Sequence, residues 1–165
     1  MPYLVDGNNV MGQRVGWHRD KAGARRRLLD EVAGFVRNAR VTVSVVFDGA
    51  PDDHFPDGSR YRGVQVFYAA RNSNADERIK RIVDASRERR TLIVVTSDRA
   101  LADYVRQCGA QVIRAGDFRR RLDDAQAESE SNAAHSSDGG KKVPDENLDH
   151  WMRYFGVEPE DGSEK

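Results

Sequence analysis

The sequence predicts an α/β fold in three layers, with a mainly parallel five-stranded sheet flanked by helices. Three observations lead there. After the first apolar run, short apolar runs alternate with amphipathic stretches of helical period, the order expected of a parallel sheet. Most of the short runs are apolar throughout rather than every second residue, as in strands covered on both faces. Three of them lead to an aspartate, directly at Asp6 and Asp48 and through Thr96-Ser97 at Asp98.

In chain order, Pro2 to Val5 is a short apolar run suited to a buried strand. Asp20 can cap a helix over residues 21–39, in which Leu28, Leu29, Val32, Phe35 and Val36 recur at helical spacing. Val41 to Phe47 is rich in β-branched residues and predicts a second strand that ends at Asp48-Gly49. Residues 49–63 hold Gly, Pro and Asp in quantity and are expected to be loop. Val64 to Ala69 is the third strand. Asn74 then caps a helix from about Ala75 to Arg89, with Ile79, Ile82, Val83 and Ser86 on its inner face. Thr91 to Val95 is the fourth strand, a helix follows over residues 99–107, and Gln111 to Arg114 is the fifth strand. A short helix near 117–124 presents Phe118 and Leu122. Crossovers between parallel strands are expected to be right-handed.

This divides the chain into a folded domain over residues 1–124 and a flexible linker over 125–143, where large apolar side chains are almost absent. His135 lies alone in that linker and is not expected to be a ligand. A C-terminal docking helix is expected over 144–156, with Leu148, Trp151, Met152 and Phe155 on one stripe, and a disordered tail over 157–165. The stripe would rest on the main domain, on a second copy of the chain or on a partner.

A length of 165 residues suits one domain. No apolar stretch approaches eighteen residues, and no basic segment followed by an apolar one opens the chain. Neither a membrane span nor an export signal is expected, and the expected location is the cytoplasm. The single cysteine, Cys108, excludes an internal disulfide and follows Tyr104 and Val105 at helical spacing, as a small core residue would. The formal net charge of zero hides an asymmetry. Residues 1–121 carry 23 Lys plus Arg against 15 Asp plus Glu, a net of +8, and residues 122–165 carry the opposite excess. A basic folded part suits a polyanionic partner.

Within that basic part, certain acids stand out. Ligands of an open parallel sheet bind beyond the carboxyl ends of its strands. Asp6, Asp48 and Asp98 are expected there, and Asp76 enters on the first turn of its helix. Carboxylates gathered at one rim repel each other unless cations neutralise them. Hard oxygen donors suit Mg²⁺ or Mn²⁺, ions that can activate water and stabilise phosphodiester oxyanions. Each acid also has a plainer explanation. Asp48-Gly49 forms a turn, and Asp76 and Asp98 suit helix starts. Asp6 has the weakest such explanation, because Gly7-Asn8-Asn9 already supply a turn. Asn8 and Asn9 could orient Asp6 or hold a phosphate, and Thr96 and Ser97 could hold a water or cap the next helix. Asp103 is better explained by a solvated face than by the cluster.

Other chemistries fit less well. The chain contains no G-x-x-x-x-G-K-[ST], no G-x-G-x-x-G and no G-x-S-x-G. His18, His54, His135 and His150 show no zinc spacing. The second aspartate of an aspartyl-nucleophile phosphatase is absent from VDGNN.

VDGNNVMG at 5–12, VVFDG at 45–49, SNADERI at 73–79 and VTSDRALA at 95–102 resemble the NYN domains of the YacP-like group, which are PIN-like nucleases. GAQVIRAGDFRRRL at 109–122 and the late LDHWMRYFG extend the similarity. The resemblance implies a PIN-like fold and a metal-dependent endoribonuclease. It assigns Asp6, Asp76 and Asp98 to catalysis and to the metal, with Asn8 or Asn9 and Asp48 in support; Asn74, Thr96 and Ser97 are further supporting candidates from their own positions beside these acids. Many relatives carry an aromatic residue where this chain has Asn8, so stacking at that position is absent here. The expected partner is single-stranded RNA, with a ribosome or another ribonucleoprotein as a further candidate. Arg14, Arg19, Lys21, Arg60, Arg62, Arg71 and Arg99 are the expected guides for the strand, and Trp17, Tyr61 and Tyr68 are candidates for base stacking. The rival readings are a non-catalytic RNA or ribonucleoprotein binding module and, less favoured, a structure-specific DNA nuclease. The latter lacks the long helical arch insertion such enzymes often use.

Overall fold

A computed structural model describes residues 2–137. Six strands form one sheet: β1 (Pro2–Asp6), β2 (Thr42–Phe47), β3 (Arg60–Tyr61), β4 (Val64–Tyr68), β5 (Ile93–Val95) and β6 (Gln111–Ile113), in the order β3-β4-β2-β1-β5-β6. Every pairing is parallel except β3 with β4. The five expected strands are present. The sixth, β3, lies in the stretch expected to be loop. It is joined to β4 through Arg62-Gly63, whose φ angles of 49° and 89° are both positive. Two such residues suit a tight hairpin whose twist matches its strands. Two residues are too few to show an alternating pattern in the sequence.

Among the described residues there are five α-helices: α1 (Gly7–Met11), α2 (Lys21–Ala39), α3 (Ala75–Ala85), α4 (Arg99–Gln107) and α5 (Ala115–Ser137). The helix caps are those the sequence suggests. The Asp20 side chain accepts from the N–H of Gly23, Asn74 from that of Glu77, and Asp98 from that of Leu101. Helix α3 stops at Ala85, short of the expected Arg89, because Ser86 turns to extended backbone.

The strands are apolar throughout because each face has its own core. On one face, Leu28, Leu29, Val32 and Phe35 of α2 and Phe118 and Leu122 of α5 cover Tyr3, Val5 and Val45. On the other, Ile79 and Val83 of α3 and Leu101 and Val105 of α4 cover Leu4, Val46 and Val94. Neighbouring residues along β1 thus serve opposite layers, as the strand period requires. Tyr3, Phe35 and Phe118 meet at ring separations of 5.5–5.9 Å, which pins α2 and α5 to the first strand. Cys108 packs against the second core, as expected of a small apolar residue.

The region around the sheet forms one compact unit, Met1–Ala127, and a second unit is Glu128–Lys165. Helix α5 does not end at residue 124. It continues through Ser137, into the first part of the stretch expected to be a linker. Residues 125–137 contain neither Gly nor Pro and include four Ala and two Glu. Once Phe118 and Leu122 have anchored the helix, each further residue adds a hydrogen bond without a new nucleation cost. The remainder of the expected linker, the docking helix at 144–156 and the tail at 157–165 lie outside the described residues. Among the described residues no helix is long and apolar enough to cross a membrane.

Candidate active site

Parallel pairing puts the carboxyl ends of β1, β2 and β5 at one rim. Asp6 ends β1 and pairs in register with Val46, while Val5 pairs with Val95. Asp6 therefore stands beside the residues that follow β2 and β5. It is 3% exposed, a rare setting for a carboxylate that no basic side chain among the described residues neutralises. Two side chains donate to its Oδ2: the Asn9 amide at 3.1 Å and the Thr96 hydroxyl at 3.2 Å.

The residues after Asp6 do not form a turn, as the sequence suggested, but a short helix, α1, starting immediately after the strand. Gly7 permits this. A Cβ there would lie 2.6 Å from two ring carbons of Phe47 and 3.0 Å from Val45. Because α1 is helical, the two asparagines point in different directions and reach different loops. Asn8 Oδ1 accepts from the Asp48 N–H at 3.0 Å. Asn9 Oδ1 accepts from the Ser97 N–H at 3.0 Å.

Further bonds complete a belt along the rim. Asp48 Oδ1 accepts from the N–H of Ala75 at 2.6 Å and so holds the start of α3, next to Asp76. Thr96 Oγ1 accepts from the Asp98 N–H at 3.2 Å, and Asp98 Oδ1 accepts from the Leu101 N–H. Ser97 Oγ accepts from the N–H of Ala115 and anchors α5. Asn74 serves as the cap of α3. Asp48, Asp98, Ser97 and Asn74 thus carry structural duties.

The acids sense one another. Burial, then repulsion from Asp76, raises the Asp6 carboxyl from 3.8 to about 6, against the hydrogen bonds from Asn9 and Thr96. Burial also raises Asp76, followed by the charges of Asp98 and Asp48, with Lys80 opposing. Among the described residues none of these four acids forms an ion pair with a lysine or arginine. No three Asp, Glu, His or Cys side chains among the described residues stand as a group able to hold a metal ion by themselves. One oxygen of Asp48 and one of Asp98 are committed to backbone N–H groups.

The expected basic guides divide. Arg71, in the turn before α3, and Arg99, the first residue of α4, are exposed at the acid rim. Arg14 is engaged by Glu31 and Asp123. Arg19 is exposed in a 3-10 turn, and the Lys21 ammonium lies 6.0 Å from the Trp17 ring centroid. Arg60 and Arg62 are placed elsewhere. They flank the start of β4, and β4 runs parallel to β2, so both sit toward the opposite end of the sheet from the acids. The hairpin invisible in the sequence reverses their position. Tyr68 is buried against Phe47 and cannot stack on a base, and the Tyr61 hydroxyl donates to Asp30.

Two residues at this rim were missed. Arg114 follows β6 and lines a cleft of about 710 Å³ with Thr96, Asp98 and Arg99. Arg25 donates to the carbonyl oxygens of Asp48 and Ala50 and lies over the rings of Phe47 and Tyr68. It braces the Asp48 loop from below. In the sequence it is the first of three consecutive arginines on a helix, with no local sign of its role.

A family model described as "YacP-like NYN domain" matches residues 3–154. The crystal structure of Rae1 (YacP) from Bacillus subtilis is similar, at 23% identity over 94% of this chain and 92% of that one, with a TM-score of 0.70. A single-substitution mutant of the same Bacillus subtilis protein matches at 23% identity over 87% and 86%, with a TM-score of 0.68. At that identity the likeness speaks for the fold. No curated protein matches significantly.

Proposed function

The chain belongs to the YacP-like NYN domain family, whose domains are nuclease-like, and from that premise we propose that it is a metal-dependent endoribonuclease of single-stranded RNA. The observation that carries this is the buried Asp6 carboxylate, crowded by Asp76 and paired with no cationic side chain among the described residues. Buried charges are ordinarily paired or bound to metals. Mg²⁺ takes one or two carboxylates, keeps several waters and shares substrate phosphates. A rim without a closed set of three ligands therefore fits an ion completed by the RNA itself. Of the three expected ligands, Asp6 and Asp76 would hold Mg²⁺ or Mn²⁺ directly and Asp98, beside Asp76, would face it through water; the ion when bound would supply Lewis acidity and an activated water for in-line attack.

The chain's own residues do the positioning. Asn9 and Thr96 fix the Asp6 carboxylate, Asp48 fixes the start of α3 beside Asp76, and Asn8 fixes Asp48. Arg71, Arg99 and Arg114 supply positive charge at the rim, so binding should weaken steeply with salt. The test compares end-labelled single-stranded RNA and DNA of one sequence, each with Mn²⁺ and with EDTA. Internal cuts in RNA alone, lost in EDTA, are expected. RNA bound equally well in EDTA and never cut would favour the rival, a non-catalytic RNA or ribonucleoprotein binding module. That rival draws its support from the lack of a closed ligand set among the described residues.

Asn9→Ala removes two bonds at once, those to Asp6 and Ser97. The expected loss is about 10- to 100-fold in kcat, as for groups that orient metal ligands. Stability should fall by about 1–2 kcal/mol. Steady-state kinetics and a denaturant melt on the same preparation read both. An unchanged kcat would remove Asn9 from the site.

A further inference from the structure

Beside α1, on the face shared by α2 and α5, lies a second cleft, of about 360 Å³. This is at the small end of the roughly 300–1,000 Å³ range of small-ligand pockets. Its apolar surface includes Met11 and Leu28, and Trp17 presents a half-buried indole. Arg14, Arg27 and Arg119 supply the polar side.

Arg119 is the informative residue. It is 8% exposed, and its NH2 group is held by Glu31 and Asp123. Its Nε–H is buried with no acceptor among the described residues. A buried donor left unpaired is costly, so such groups call for an explanation. Three arginines and one carboxylate, Glu31, line the cleft, and Asp123 pairs with Arg14 and Arg119 from outside it, so the cleft keeps a positive excess. Its occupant should therefore be flat enough to lie on an indole and should carry acceptors on its edge. It should also be attached to negative charge.

The cleft is close to the acids. Met11 is the last residue of α1, and α1 begins directly after Asp6. A helix of that length rises roughly 7 Å, or about two nucleotides at the 3.4 Å per step of a stacked strand. We infer that this cleft takes one unstacked base of the RNA strand near the bond that is cut. Trp17 stacks on the base, the Arg119 guanidinium in the cleft wall faces its acceptor edge, and Arg14 and Arg27 lie by the neighbouring phosphates. Single-stranded RNA is recognised in this way elsewhere, through splayed bases laid on aromatic rings. The inference rests on the RNA-cleaving reading and adds to it a base-binding subsite.

The test walks one abasic ribose across the cleavage site of a fixed RNA, using the full chain with Mn²⁺. One position should raise KM by about 5- to 150-fold, the usual range for losing one base–aromatic stack, with kcat little changed. Trp17→Leu should show that rise on intact RNA and no further rise on the abasic RNA, and Trp17→Phe should restore most of the affinity. RNA cut normally with a flat abasic profile, or by a folded Trp17→Leu variant at unchanged KM, would overturn the subsite and leave the nuclease reading standing. If Trp17→Leu fails to fold, the abasic profile of the parent chain decides alone. If the parent chain neither binds nor cuts any RNA, the underlying reading fails and the subsite with it.

Discussion

Asp6→Asn is expected to abolish RNA cleavage and, in metal-free protein at pH 7, to make the fold more stable than the parent. The two effects share one cause. In the fold, the Asp6 carboxyl is raised from 3.8 to about 6 by burial and by Asp76. A raised value means that the fold prefers the protonated form. The stabilisation is fully present below pH 3.8, the unfolded value, and is lost as pH rises through about 6. At pH 7 the parent holds a buried charge at a cost on the order of 2–3 kcal/mol. Asn at this position is neutral, and its carbonyl oxygen can still accept from Asn9 and Thr96.

For a chain of this length the melting temperature should rise by about 5 °C. The parent's metal-free melting temperature should decline as pH rises from 3.8 through about 6, and the variant's should decline less. Added Mn²⁺ should stabilise the parent and leave the variant unmoved. Cleavage should fall by about 10²- to 10³-fold or more, since electrostatic groups at reacting centres are commonly worth that much. A variant that melts below the parent at pH 7, or cuts RNA at the parent's rate, would contradict both halves of this account. Stability given up at a working site is a common trade. Here one buried carboxylate, at the end of β1, carries it.

The position of the acids could be read from the sequence because parallel strands all end on the same side. Asp6, Asp48 and Asp98 each follow an apolar strand, so topology alone brings them together. What could not be read was anything depending on a short element. Gly7-Asn8-Asn9 has the composition of a turn, and its helical backbone becomes apparent only when Phe47 is seen beneath Gly7. Until α1 is known, Asn8 and Asn9 look equivalent. On a helix, consecutive residues point about 100° apart, which sends one amide to Asp48 and the other to Asp6 and Ser97. The two-residue strand β3 likewise carries Arg60 and Arg62 away from the acids. Arg25 was hidden for a different reason. Its partners are backbone carbonyls 23 and 25 residues away, which leave no trace in local pattern.

The glycine beneath this arrangement gives the most direct test of how packing becomes function. Gly7→Ala adds one methyl group, and in the present backbone that carbon falls 2.6 Å from Cδ1 and Cε1 of Phe47. Phe47 cannot yield easily. It is fully buried and packs on Tyr68 at 5.9 Å, with Arg25 over its ring at 5.4 Å. The strain therefore falls on α1, which would lift away from β2. Overpacking of this kind costs about 1–3 kcal/mol. The functional loss should be larger than that figure suggests, because α1 carries both amides of the belt. A lifted helix loosens Asn9 from Asp6 and Asn8 from Asp48 together, and displacement of catalytic groups by about 1 Å can cost on the order of 10²-fold in rate. Gly7→Ala should therefore remain folded at 25 °C with a lowered melting temperature and lose about 100-fold in kcat. Phe47→Leu in the same chain should relieve the clash and recover part of both. If Gly7→Ala kept parental kcat and melting temperature, the close approach of α1 to Phe47 would not be what holds the site together.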